Sequence, residues 1–379
     1  MRKTIILFLV LFCCFLHNAA NGGEMGSYTF LLHRDVFTRA EQYLEALRTG
    51  KKPGAFLARQ LEKADLAKLS AEEFVEKLIQ TKKPIIFAES AVVGDGSDWA
   101  MEELSLLGYI STAVPVTIFD DGLHQKPNVH AGPFTGTLLF LPGALLDTGS
   151  EKMPPADWDA VVSNGHIETE AFYRLYEKRL LPAFLYADRE SEKLGRKALI
   201  TIPGVGCGMF AGPFKGQLGA ELEKVLFRFL HQHGRSFVSI RAVYYGPYNE
   251  CKNARHEING VTLLVRPFLN AGKNRPQLCR PADYAEPGDD FSDCEFFSVV
   301  AWDHVSWPGN DYYGGSRSTD DGVKAAATSS MQSMTGIAGR YDTAKCCYLP
   351  PEGFRNWGEV VEKNGLQLKV SGRLRVFPE

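Results

Sequence analysis

The chain has no Cys-x-x-Cys pair, no His-Glu-x-x-His and no Gly-x-Ser-x-Gly. These absences weaken a structural zinc site, a zinc protease and the strained serine elbow of the α/β-hydrolases, in that order. His256-Glu257 opens the zinc motif but lacks its second histidine, and adjacent Cys346 and Cys347 suit burial better than a shared metal. No block of Lys and Arg stands out and the net charge is −3, so a nucleic-acid backbone finds no counterpart here. Beyond the N-terminus no apolar run approaches the ~18 residues of a membrane span. There is no repeat of fixed period and no low-complexity tract.

What is present is the composition of a globular protein with a large core: 379 residues, 45% hydrophobic and 23% charged. One large domain with additions and two domains are both allowed. Arg2 and Lys3, the apolar run Ile5 to Leu16 and the small residues Ala19, Ala20 and Gly22 have the order of a secretory signal peptide. Residues 1–22 are therefore expected to be removed, leaving a secreted or secretory-pathway protein with no stable membrane insertion. Cys13 and Cys14 leave with that segment. The six remaining cysteines form an even set, for which a secretory setting permits disulfides in any of fifteen pairings.

Residues 23–83 read as a helical N-terminal extension, since Phe37, Tyr43, Leu44 and Leu47 recur at helical spacing and Ser70-Ala71-Glu72-Glu73 has the capping-box form. From 84 to 352 the rhythm is that of an α/β domain. Short apolar runs at Ile85 to Ala88, Val114 to Phe119, Thr137 to Leu141, Leu199 to Ile202, Phe237 to Tyr244, Val261 to Val265 and Phe296 to Val300 suit strands covered on both faces. Helical stretches at Trp99 to Leu107, Thr169 to Leu194 and Gln217 to His233 lie between them. The tail, 353–379, carries strand-like Leu366 to Val370 and Leu374 to Val376, a candidate edge hairpin.

Two constellations carry chemistry. In the first, the strand Leu199 to Ile202 runs into Pro203-Gly204-Val205-Gly206-Cys207-Gly208-Met209-Phe210-Ala211-Gly212 and then a helix. Glycines after a strand let backbone N–H groups approach an anion, and a helix N-terminus adds a favourable dipole, so the loop is a candidate diphosphate cradle. Ala211-Gly212-Pro213 stands where a Walker A loop needs Lys-Ser or Lys-Thr. Gly206, Gly208 and Ala211 meet only the looser dinucleotide pattern, and Tyr244-Tyr245 replaces its acid. Close helix–strand packing explains the glycines equally simply. Cys207 within the loop has no identifiable His partner.

The second constellation is WDHVSWPGNDYYGGSRSTDDGVKAAATSSM, from Trp302 to Met331. Gly309-Asn310 and Gly314-Gly315-Ser316 fold the backbone back, so that Asp303, Asp311, Asp320 and Asp321 can converge, and Asp321-Gly322 opens a helix. Asp320 is read as the helix cap.

Together the two constellations resemble a macrodomain, the α/β/α fold that binds ADP-ribose. AWDHVSWPGND, YYGGS and TDDGVKAAATSSM resemble the branch of that family that hydrolyses ADP-ribosyl-arginine, in which three aspartates spaced eight and then ten residues apart carry the activity. Asp303, Asp311 and Asp321 have that spacing. The resemblance implies a three-layer α/β/α mixed sheet following the helical extension, with these three as catalytic residues. It also implies ADP-ribose contacts at Gly204, Gly206, Cys207, Gly208, Met209, Phe210 and Asp320. The implied partner is ADP-ribose or an ADP-ribosylated protein, ubiquitin among the candidates, and neither metal nor cofactor is required. Carboxylates suit an oxocarbenium-like transition state and a planar guanidinium alike. A binding module that does not cleave, a hydrolase of ester-linked or polymeric ADP-ribose, and a secreted glycosidase are the alternatives.

Overall fold

The computed structural model describes residues 28–86, 92–149, 155–269 and 274–379. The expected signal peptide, and Phe87 and Ala88 of the first expected strand, lie outside them. In chain order the strands are β1 (Thr29–His33), β2 (Ser111–Asp120), β3 (Val129–Pro142), the short pair β4 (Val162–Ser163) and β5 (His166–Ile167), then β6 (Ala198–Pro203), β7 (Ile240–Gly246), β8 (Ala254–Ile258), β9 (Val261–Val265) and β10 (Glu295–Trp302). A second short pair, β11 (Arg340–Asp342) and β12 (Cys347–Leu349), and β13 (Leu374–Phe377) complete them. The helices are α1 (Arg34–Arg48), α2 (Ala55–Leu61), α3 (Ala71–Ile79), α4 (Met101–Leu107), α5 (Trp158–Val161), α6 (Thr169–Lys193) and α7 (Leu218–His233), followed by α8 (Asn310–Tyr313), α9 (Asp320–Ala327), α10 (Ser330–Thr335) and α11 (Trp357–Lys363).

Nine strands form one mixed sheet in the order β13-β1-β2-β3-β10-β6-β7-β9-β8, flanked by helices in a three-layer α/β/α arrangement. From β3 to β9 every neighbouring pair is parallel, and the antiparallel pairs are β1 with β2, β2 with β3 and β8 with β9. All residues of β6 and β9 are buried, as apolar strands covered on both faces must be. The helical layers come from amphipathic segments such as α7, which buries Leu218, Leu222, Val225, Leu226 and Phe229. The capping box of α3 is present: Ser70 Oγ accepts from Glu73 N at 3.2 Å and Glu73 Oε2 accepts from Ser70 N at 2.8 Å.

The structure departs from the sequence reading at several elements. Ile85 and Ile86 are not strand: Lys83 makes an isolated parallel bridge to Ser306, and Ile86 N donates to the Asn310 side chain at 2.7 Å. The segment ahead of the first helix contributes β1 to the sheet, and only the second strand-like run of the tail is a strand. That strand, β13, lies parallel to β1 instead of folding into a hairpin. β3 starts at Val129, where alternating half-buried residues pair with β2. None of the six cysteines of the described chain is joined in a disulfide. Among the described residues no helix is long and apolar enough to cross a membrane.

Candidate active site

The parallel register puts the carboxyl ends of β3, β10 and β6 side by side, the place where open α/β sheets bind ligands. The glycine loop leaves β6 at Pro203, and the aspartate segment leaves the adjacent β10 at Trp302. Phe210, the last residue of the expected cradle, lines the same cleft as Asp303 and His304, and the Phe210 and His304 rings are 6.4 Å apart. The cleft is narrow, about 20 Å³, and Ile86, Val92 and Val93 also line it.

Two close approaches shape the glycine loop. Gly206 has φ +78°, and a Cβ there would come within 2.6 Å of Tyr176 Oη; a Cβ on Gly143 would come within 2.5 Å of Gly206 N. Tyr176, from α6, bolts the loop down by accepting from Ala144 N at 3.2 Å and donating to Val205 O at 2.7 Å. The N–H groups of Gly206, Gly208, Met209 and Phe210 donate to no described residue, whereas Cys207 N is used by Gly204 O at 3.0 Å. Backbone donors with no acceptor among the described residues, at the end of a strand, are what an anion nest requires. Burial, with Glu250 and Cys251 adding to it, pushes the Cys207 thiol well above its usual range, so the thiolate a nucleophile needs is disfavoured. Met209 is 80% exposed and lies outside the cleft lining.

The aspartates converge. Asp303, 6% exposed, closes the turn after β10: its Oδ1 accepts from Val305 N and Ser306 N, both at 2.7 Å, and its Oδ2 from Ser306 Oγ. Asp311, on α8, accepts from Ser318 N at 3.0 Å, Thr319 N at 3.2 Å and Thr319 Oγ1 at 2.7 Å. Asp321 is 3% exposed; its Oδ1 is 2.5 Å from Thr319 Oγ1, and its buried Oδ2 has no partner among the described residues. Burial drives the Asp321 carboxyl well above the usual carboxylate range. Asp303, Asp311 and Asp320 add to the rise and Thr319 opposes it. Gly322 is what lets α9 approach α8, since a Cβ there would lie 2.5 Å from Asp311 Cγ.

Two expectations need correction. The cap of α9 is Thr319, whose side chain accepts from Gly322 N, and not Asp320. Asp320 is the first helical residue, and its carboxylate is taken by Ala301 N at 2.8 Å and the buried Lys324 Nζ at 3.1 Å. It ties α9 to β10, which leaves its role as an ADP-ribose contact without geometric support. Nearby, Asp98 accepts from Val93 N, Gly94 N and Trp99 N and organises its own loop.

Sequence reasoning missed several residues around the cleft. Arg179 Nη2 meets Asp157 Oδ1 and Oδ2 at 2.8 and 2.9 Å, and His304 Nε2 lies 3.3 Å from Asp157 Oδ2, all of them buried. Burial alone would raise the Asp157 carboxyl, but Arg179 and His304 outweigh it and hold it well below the usual range. Lys82, wholly buried, donates to His304 O at 2.5 Å and lies 4.1 Å from the Trp302 ring centroid. Its burial, opposed by Asp303, brings its ammonium down to about 7. Only Thr319 had a local signal, the preference for Thr at an N-cap.

A three-layer mixed sheet, with a glycine-rich loop at the end of one central strand and the aspartate segment at the end of its neighbour, has the layout of a macrodomain. The family model described as the macrodomain effector MavL matches residues 28–354, and the chain belongs to that family. No curated protein matches the chain significantly.

Proposed function

We propose that this protein hydrolyses the N-glycosidic bond between ADP-ribose and a modified arginine side chain, without a metal. One observation supports the reading: Asp303, Asp311 and Asp321, dispersed over nineteen residues, come close enough for Asp303 and Asp311 to act on the buried Asp321, and Asp303 lines the same cleft as Phe210 of the loop that ends β6. The nest suits the diphosphate and the carboxylates suit the guanidinium. In this scheme the oxygen of a water bonds to C1″ and one of its protons passes to the Asp311 carboxylate. The C1″–N bond breaks with its electron pair kept by the departing guanidine, which then takes the proton from Asp311. Asp303 holds the turn that forms the cleft wall.

A binding module that does not cleave is favoured by a different observation, the sealing of Asp321 from solvent. Incubation with an arginine-ADP-ribosylated protein decides between the two readings. Free ADP-ribose released by the wild type and not by Asp321→Ala supports the hydrolase; tight binding with no release from arginine, ester or polymer linkages supports the module.

A further inference from the structure

One hydroxyl stands between two of the three aspartates. Thr319 Oγ1 is 2.7 Å from Asp311 Oδ1 and 2.5 Å from Asp321 Oδ1, and it accepts from Gly322 N at 3.2 Å. A hydroxyl has one proton to donate, so it satisfies one carboxylate only. The other contact is an O···O distance of hydrogen-bond length that requires a proton from the carboxyl side. Two ionised aspartates do not fit this geometry.

We propose that Asp321 is held as the neutral acid, donating to Thr319, whose own O–H donates to the ionised Asp311, so that Thr319 is a positioning residue fixing the charge state of the pair. The environments of the two acids set the order. Asp311 receives two backbone N–H groups, an arrangement that suits an anion, whereas Asp321 Oδ2 is buried with no partner. The charged and titratable groups that face Asp321 are Asp303, Asp311 and Asp320, with Tyr313 close by. The cation of the same helix, Lys324, is engaged by Asp320 and by Val299 O at 2.5 Å. The role of this pair in catalysis rests on the hydrolase reading; its protonation does not. In the hydrolase, Thr319 keeps Asp311 ionised and aimed as the acceptor of the water proton.

The test has two arms on the full chain. The first labels aspartate at the carboxyl carbon and follows the resonances by NMR across pH, with no substrate present. One carboxyl should remain in its protonated position at neutral pH, and its signal should vanish in Asp321→Asn; a wild type with every aspartate ionised at neutral pH overturns the proposal. The second arm measures pH–rate profiles on arginine-linked ADP-ribose. Thr319→Asn keeps a cap acceptor but has no hydroxyl, and Thr319→Ser keeps both. For Thr319→Asn, kcat should fall about 100-fold with KM within a factor of about three, and the acidic limb should move by about one pH unit or more. Thr319→Ser should restore both. A Thr319→Asn profile that superimposes on that of the wild type overturns the proposal. If the wild type hydrolyses nothing, the hydrolase reading fails, and the NMR arm still decides the protonation.

Discussion

Replacing Gly322 by Ala tests the geometry of the aspartate group with the smallest possible perturbation. On helix propensity alone the change should stabilise α9 by about 1 kcal/mol. The structure reverses that expectation, because the new methyl would lie 2.5 Å from Asp311 Cγ and 2.7 Å from its Oδ2, and closer still to Oδ1. The Asp311 side chain must therefore swing away from the bonds it accepts from Ser318 N, Thr319 N and Thr319 Oγ1. Bonds to a charged group contribute about 1.5–3 kcal/mol each, but Asp311 is half-buried and water replaces part of them. The net result should be a destabilisation of about 1–2 kcal/mol, a melting temperature lower by only a few degrees. Activity should suffer far more, since a displacement of about 1 Å at a reacting group costs on the order of 100-fold. Calorimetric melting and release of ADP-ribose from an arginine-modified protein, measured on the same preparation, give the two numbers. A Gly322→Ala protein that melts slightly early but retains full turnover would refute the claim that Asp311 is held in place for the reaction.

The remaining predictions concern the groups around the cleft. Lys82, brought down to about 7 from 10.5, releases a proton on folding that the unfolded chain keeps over that interval, so wild-type stability declines as pH falls from about 10.5 to about 7. Lys82→Met should lack that decline, its melting temperature gaining on the wild type by a few degrees across the interval; parallel melting curves would contradict this. Arg179→Met leaves the Asp157 carboxylate buried with Leu145 N and His304 as its remaining partners among the described residues, and should cost about 3–5 kcal/mol in denaturant unfolding, partly recovered by adding Asp157→Asn. Gly206→Ala, which strains a position at φ +78° and pushes on Tyr176 Oη, should weaken ADP-ribose binding in calorimetry by about tenfold or more. Unchanged affinity would remove the loop from the binding site.

What the sequence made legible was what is local. The wholly apolar runs of β6 and β9, the Ser70–Glu73 box and the glycines after Pro203 each announce their structure within a few residues. The pairing of β1 with β13 joins segments more than 300 residues apart, each only four or five residues long, and neither carries a period long enough to read. Arg179 and Tyr176 lie on a long helix and gain their meaning only when α6 meets the chain leaving β3 and β6, at Pro142 O and Val205 O. Thr319 and Asp320 were exchangeable on propensity, and the packing of α9 on β10 decided between them by giving Asp320 a backbone N–H and a buried lysine. The turns at Gly309-Asn310 and Gly314-Gly315-Ser316 let the aspartates be expected to converge, and the resemblance singled out Asp303, Asp311 and Asp321, but Asp303's commitment to its own turn was not legible.

The proposed hydrolysis has the aspartates at the end of β10 cut the bond between arginine and ADP-ribose. The most direct measurement incubates the wild type with an arginine-ADP-ribosylated protein in the presence of a chelator and follows both products by mass spectrometry. The wild type should give free ADP-ribose and unmodified arginine in equal amounts, and Asp321→Ala neither. An intact modified arginine, with ADP-ribose bound by the protein but never released from the substrate, would contradict the proposed hydrolysis.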